Sequence, residues 1–243
     1  MIRLLLPVPS PAPEGLRVEG ERFHYLTHVL RLGPGAALEV FDGRGTRYQA
    51  VVARLEESFA ELTLANPQTG IGGAPLTLLQ GLPKGDKLEW ILQKGTELGI
   101  TRFLPVATVR AVVKLDAARG ESKRTRWQKI VEEAARQCGR SDVPQVGLPQ
   151  GLLEAVRALP PRTTVLVLDE EERSCTLSQA VGEAADRGLA LVVGPEGGLD
   201  RAEVTALIAV GAVPVTLGAR VLRTETASLA AAAVILHLRG ELG

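Results

Sequence analysis

The stretch Leu189-Ala190-Leu191-Val192-Val193-Gly194-Pro195-Glu196-Gly197-Gly198-Leu199-Asp200 carries the clearest architectural signal in the chain. Five apolar residues in a row, cut off by glycine and proline, read as a strand buried on both faces. Asp200 with Glu203 three residues on is a capping-box pattern that opens a helix, and Gly211 ends it. Strand, glycine-rich turn, helix is the grammar of a parallel sheet covered by helices. Working outward, the same alternation begins at Leu76. Leu76–Leu79, Ile100–Val106, Thr164–Leu168 and Val213–Leu217 read as strands. Asp86–Leu98 reads as a helix capped by Asp86 and stopped by Gly99; Ser122–Gly139, Thr176–Arg187 and Thr226–Arg239 read as further helices. In such α/β folds ligands bind where loops leave the carboxyl ends of the strands.

The first 70 residues have a different character. Ala37–Phe41 and Tyr48–Leu55 flank the turn Asp42-Gly43-Arg44-Gly45, and Phe59–Leu64 alternates apolar with polar residues, a half-buried strand. Glu21–Leu32 reads as a short helix closed by Gly33-Pro34-Gly35. These elements predict a small barrel with one helix. Asn66–Pro75, with three glycines and two prolines, reads as the linker to the second domain.

Composition narrows the function. The 243 residues are 45% hydrophobic and 23% charged, enough for a substantial core and far from disorder. Apolar runs near 207–217 and 227–238 fall short of the roughly 20 residues of a membrane span. Pro7 and Pro9 interrupt Leu4-Leu5-Leu6 before a signal-peptide core forms, so a cytoplasmic protein is expected. Cys138 and Cys175 make neither a disulfide framework nor a metal cluster and read as small buried hydrophobes. The net charge of zero conceals a segment, 75–140, with a net charge of +6, which suits a polyanion. Arginine outnumbers lysine 22 to 6, which suits phosphate contacts but also follows from genome composition or thermal adaptation.

Three features carry candidate chemistry. Gly194–Gly198 lies at a strand end but matches neither the dinucleotide fingerprint nor the P-loop, so a plain structural turn stays open. Leu217-Gly218-Ala219-Arg220-Val221-Leu222-Arg223-Thr224-Glu225-Thr226 joins the last strand to the last helix. Helix capping by Thr224 or Thr226, with Glu225 at the positive dipole end, accounts for those residues. It does not account for Arg220 and Arg223, which are expected to meet an anion or the Glu196 carboxylate. On the helix 122–139, Trp127, Ile130, Val131, Ala134, Ala135 and Cys138 form a buried stripe. Lys129, Arg136 and Arg140 fall within roughly 40° of one another on the opposite face, as either a solvated row or a nucleic-acid contact. His24 and His28 are one helical turn apart, a possible metal pair without a third ligand nearby. No Ser-His-Asp or Cys-His pattern is present, and no metal site is expected.

Gly194–Gly198 followed one strand later by Leu217–Ala227 resembles the ribosomal small subunit methyltransferase E family, uridine-N3 methyltransferases of the SPOUT superfamily. Further matches are Gln93-Lys94-Gly95-Thr96-Glu97-Leu98-Gly99 and the helix around Arg124, Trp127, Glu133, Ala134, Gln137 and Arg140. His24–Arg31 and Asp42–Gly45 match as well, so the resemblance covers nearly the whole chain. It implies an α/β fold: a SPOUT-type parallel sheet with a C-terminal trefoil knot over 75–243, preceded by a PUA-like β-barrel RNA-binding domain over 1–70. It implies a homodimer, S-adenosylmethionine as cofactor, and a uridine in the decoding region of 16S rRNA, free or in the small ribosomal subunit, as target. The implied cofactor pocket comprises Leu168, Gly194, Glu196 and Gly198 from two strand ends. Leu217, Gly218, Ala219, Arg220, Val221 and Leu222 complete it from a third.

Uridine N3 is a poor nucleophile until its proton leaves, so transfer needs a base or cations that stabilise the uridine anion. Arg220 and Arg223 suit the second role; Glu225 and Glu196 suit the first or merely brace an arginine. Lys129, Arg136, Arg140 and Arg124 are the expected RNA contacts. Two alternatives remain at this point: a SPOUT enzyme acting elsewhere, such as tRNA 2′-O, and a non-catalytic RNA-binding module.

Overall fold

A computed structural model describes residues 2–70, 73–111, 117–184 and 187–243. The chain forms two compact units. One comprises residues 1–72 together with 135–143, the other 73–134 with 144–243.

The first unit contains β1 (Arg3–Leu5), β2 (Gly15–Glu19), α1 (Gly20–His24), a π-helical turn (Tyr25–Val29), β3 (Ala37–Phe41), β4 (Thr46–Leu55) and β5 (Phe59–Thr69). The strands make one sheet in the order β1-β3-β4-β5-β2. It is antiparallel except for the β1–β3 pair. Register shifts at Arg47/Gln49 and Val52/Arg54 put bulges into β4, which bend and twist the sheet. Alternation then does the sorting. Tyr48, Ala50 and Val52 from β4, with Ala60 and Leu62 from β5, face one core, into which the π-helical turn drives the fully buried Leu26. Burying a leucine of this kind stabilises by about 1.5–3 kcal/mol. Strands β1 and β2, at the two edges, were not legible in the sequence, and β5 runs on to Thr69 through what reads as linker. Residues 71–72 of that linker lie outside the described residues.

The second unit contains β6 (Leu76–Gly81), α2 (Lys87–Leu98), β7 (Arg102–Ala107), α3 (Ala117–Cys138), β8 (Gln145–Val146), β9 (Gln150–Gly151), α4 (Leu152–Arg157), β10 (Thr164–Leu168), α5 (Leu177–Gly182), β11 (Leu189–Val193), α6 (Arg201–Ala209), β12 (Val213–Val215) and α7 (Thr224–Leu238). The sheet runs β12-β10-β11-β6-β7-β8 with β9 also on β7. Every pairing is parallel. Because β11 sits centrally, all five of its residues are buried. The capping box of Asp200 and Glu203 forms as expected, and Thr176 with Gln179 makes a second one. Helix α5 stops at Gly182, short of the expected Arg187; residues 185–186 lie outside the described residues.

Several expectations are corrected. Asp86 holds the N-cap position of α2 but its side chain makes no capping bond. The N-cap of α7 is Arg223, not Thr224 or Thr226, and it too lacks a side-chain cap. Cys138 is exposed and Cys175 half-buried, so neither is a core residue. Arg140 is not on the helical face with Lys129 and Arg136, because α3 ends at Cys138 and the chain turns at Gly139.

Candidate functional site

The carboxyl ends of β10, β11 and β12 lie side by side in the sheet, so the three loops leaving them converge. They enclose a cavity of about 400 Å³. The first loop contributes Leu168 to Glu171 and Arg173, the second Val193 to Glu196 with Gly198, and the third Val215 to Arg223. All ten residues expected from the sequence at a cofactor pocket line this one cavity.

A buried polar cluster holds the loops together. Gln80, at the end of β6, is 1% exposed. Its Nε2 donates to Gly81 O at 3.0 Å and to Thr224 Oγ1 at 2.9 Å. Thr224 Oγ1 in turn donates to Gly194 O at 2.6 Å. Ser228, fully buried one helical turn on, donates to Gln80 Oε1 and to Thr224 O. Each buried polar group therefore has a partner, and the first turn of α7 is tied to the glycine turn after β11. A Cβ added at Gly194 would lie 2.8 Å from the Gly198 carbonyl carbon, so only glycine lets this turn close on itself. Gly218 is different: its φ of +102° demands glycine, while an added Cβ would meet no protein atom within 4 Å.

Charges divide into committed and free. Lys87 Nζ donates to Glu196 Oε1 at 2.8 Å and lies 3.6 Å from Glu225 Oε2. The Lys84 amide also donates to Glu196. Burial pushes the Glu196 carboxyl up, but the Lys87 hydrogen bond and the backbone amides of Glu196 and Lys84 outweigh it and hold it below its ordinary value. The hydrogen bond to Glu196 raises Lys87. Asp169, nearly buried, takes both its oxygens to Arg201 Nη1 at 2.8 Å. Arg220 and Arg223 are exposed on the cavity wall and pair with no described residue. Of the two expected partners, an anion or Glu196, Glu196 is therefore not the one they meet, because Lys87 already occupies it. Glu225 lies outside the lining, beside Lys87, with Oε2 buried and without a hydrogen bond.

Four residues that line or brace the cavity are not singled out by the sequence: Gln80, Lys87, Asp169 and Arg201. The one local signal was Gln80, an amide closing an otherwise apolar strand. The expected RNA contacts scatter. Lys129 is exposed. Arg124 pairs with Glu121 at 2.7 Å. The Arg136 guanidinium sits over the Tyr25 ring at 5.7 Å. Arg140, 14% exposed, is bound to Asp142, whose carboxyl it holds down against the opposing effect of burial.

This fold and cavity are those of a known class. Residues 73–236 match the RNA methyltransferase domain, and residues 18–65 match the RNA methyltransferase PUA domain. The protein is an RNA methyltransferase. More narrowly, the chain belongs to the ribosomal RNA small subunit methyltransferase E family. It is 35% identical to the Bacillus subtilis member over 238 residues, 92% of each chain. It is 36% identical to the Synechocystis member over 88% of this chain and 70% of that one. The crystal structure of the Neisseria gonorrhoeae member bound to S-adenosyl methionine is 34% identical and covers 98% of both chains, with a TM-score of 0.84.

Proposed function

We propose that this protein transfers a methyl group from S-adenosylmethionine to N3 of a uridine in the decoding region of 16S rRNA. The observation that carries the reading is the three-loop cavity. Its size is within the range of small-molecule sites. Leu217, Val221 and Leu222 give it an apolar wall, and Gly194, Gly198 and Gly218, which carry no side chain, let a ligand approach the backbone closely. Glu196 is fixed by Lys87 rather than free to titrate. S-adenosylmethionine, when bound, supplies an electrophilic methyl group. The chain's own contribution is position and charge: Arg220 and Arg223 stabilise negative charge on the uracil oxygens as the N3 proton passes to solvent water at the open mouth of the cavity. Glu225, outside the cavity lining, acts through Lys87 in this reading and not as the base.

Residues 1–70 serve as the PUA-like RNA-binding domain and residues 75–243 as the catalytic domain. Lys129, Arg124, Arg136 and Arg140 contact phosphate; Arg140 also pairs with Asp142, beside Ser141 and Val143, whose hydrogen bonds tie this segment to the turn at Gly43–Gly45. The C-terminal loops form the trefoil knot; the support is Thr224, which carries the start of α7 inward against Gly194 and Gln80. The working form is a cytoplasmic homodimer. Among the described residues no helix is long and apolar enough to cross a membrane. Helices α2 and α7 pack together and leave Trp90 53% and Leu238 47% exposed, apolar surface that a second copy would cover.

Calorimetric titration with S-adenosylmethionine, followed by mass mapping of methylated small-subunit rRNA, tests the reading. No heat of binding overturns the enzyme and leaves an RNA-binding module. A methyl group found only on a ribose 2′-oxygen of tRNA overturns the target. A sedimentation run giving monomer at micromolar concentration overturns the dimer.

A further inference from the structure

The geometry of the histidine pair does not suit metal ligation. The His24 and His28 rings stack with centroids 4.2 Å apart and planes inclined by 19°. Nitrogen lone pairs lie in the ring planes, so those of two nearly parallel rings do not meet on one ion. Among the described residues no third ligand joins them. The stack is exposed, and Thr27 Oγ1, 2.8 Å from His28 Nδ1, anchors the rear ring. In front of His24 lies an open hollow of about 670 Å³, lined also by Arg22, Tyr25, Val29 and Leu4. Among the described lining residues Glu21 is the one acid. Arg136 covers the Tyr25 ring and belongs to this same unit.

We propose that this hollow is a subsite for one unpaired nucleotide of the RNA substrate, its base stacked on His24. The proposal rests on the RNA methyltransferase reading above and adds a place in the first unit where the strand is held. Unpaired bases are recognised by stacking on aromatic rings, and every base has a π-face to offer. Here two exposed imidazoles already stacked form a platform at the edge of the hollow, and Tyr25 supplies a third ring. Arg22 on the rim provides charge for the flanking phosphate. The apolar floor of Leu4 and Val29 suits a base and not a free anion. A second protein is a weaker fit, because two exposed histidines and an arginine around an open hollow offer few apolar anchors.

The test is fluorescence anisotropy of the full-length protein with S-adenosylmethionine and a labelled oligoribonucleotide, single-stranded or in duplex. Because His24 is exposed, His24→Ala folds. It should weaken single-strand binding about 5- to 150-fold, the range for one lost base stack. His24→Phe should retain most of the affinity. In turnover, His24→Ala should raise KM for RNA far more than it lowers kcat, with S-adenosylmethionine affinity unchanged. Equal affinity of wild type and His24→Ala overturns the proposal. So does a His24→Phe variant as weak as His24→Ala, or a loss equal on single strand and duplex. Absence of methyl transfer by the wild-type protein overturns the methyltransferase reading instead; intact transfer with unchanged RNA affinity in His24→Ala overturns the subsite alone.

Discussion

Thr224→Val is the sharpest probe of how the cavity is built, because it keeps the shape of the side chain and removes one hydroxyl. Thr224 is 5% exposed, so solvent cannot replace what is lost. The hydroxyl both donates to Gly194 O at 2.6 Å and accepts from Gln80 Nε2 at 2.9 Å. The substitution leaves a buried carbonyl without its short donor and a buried amide N–H whose next acceptor, Gly194 O, is 3.5 Å away. Each buried group left unpaired costs about 1–3 kcal/mol, and partial rescue of one by the other brings the total to about 2–4 kcal/mol. For a chain of this length that lowers Tm by roughly 4–16 °C. Thr224→Ser keeps the hydroxyl and should cost only about 0.8 kcal/mol, the worth of one buried methyl group. Differential scanning calorimetry of the three proteins measures the stability, and titration with S-adenosylmethionine measures the loop. Thr224→Val should lose more in both than Thr224→Ser. If the valine protein is as stable as the serine protein, the buried cluster does not hold the turn.

Arg223→Ala should lower turnover by on the order of 10²–10³ with much less effect on S-adenosylmethionine affinity, as expected for removal of one preorganised donor; equal losses in both would make it a binding residue. Arg223→Lys should recover only part, since an ammonium lacks the planar fork. Gly218→Val should keep the protein folded at a strain cost of about 1–3 kcal/mol and abolish calorimetric binding of S-adenosylmethionine; unchanged affinity would move the pocket elsewhere. Glu172 is pulled to about 2 from 4.5 by the Ser174 hydroxyl and the amides of Cys175, Ser174 and Arg173. A depressed carboxyl contributes stability that is complete above pH 4.5 and lost as pH falls towards 2. Urea midpoints of Glu172→Gln should therefore fall less steeply than wild type across that window, and parallel curves would remove Glu172 from the loop's support.

Local pattern settled the elements whose residues bury by simple periodicity. Thr164–Leu168 and Leu189–Val193 form strands over the residues read from sequence, because an apolar run between turn signals has few other ways to hide. The capping box at Asp200 and most of the α3 stripe were equally legible, since caps and helical faces are set by neighbours within four residues. The candidate cofactor residues were legible through motif and resemblance, and the fold brings them to one cavity. What the sequence left open was every outcome depending on distant partners. Thr224 looks like a helix cap and is instead a buried bridge to residues 30 and 144 positions away. Arg140 looks like a solvent-facing cation, and the fold pairs it with Asp142. Glu196 looks like a partner for the loop arginines, yet Lys87, 109 residues earlier, reaches it first and leaves Arg220 and Arg223 to face the cavity. Polar side chains carry no periodic signal of which partner they will meet. That choice is made only when the parallel sheet has brought three strand ends together and buried groups must find hydrogen bonds among whatever lies within reach.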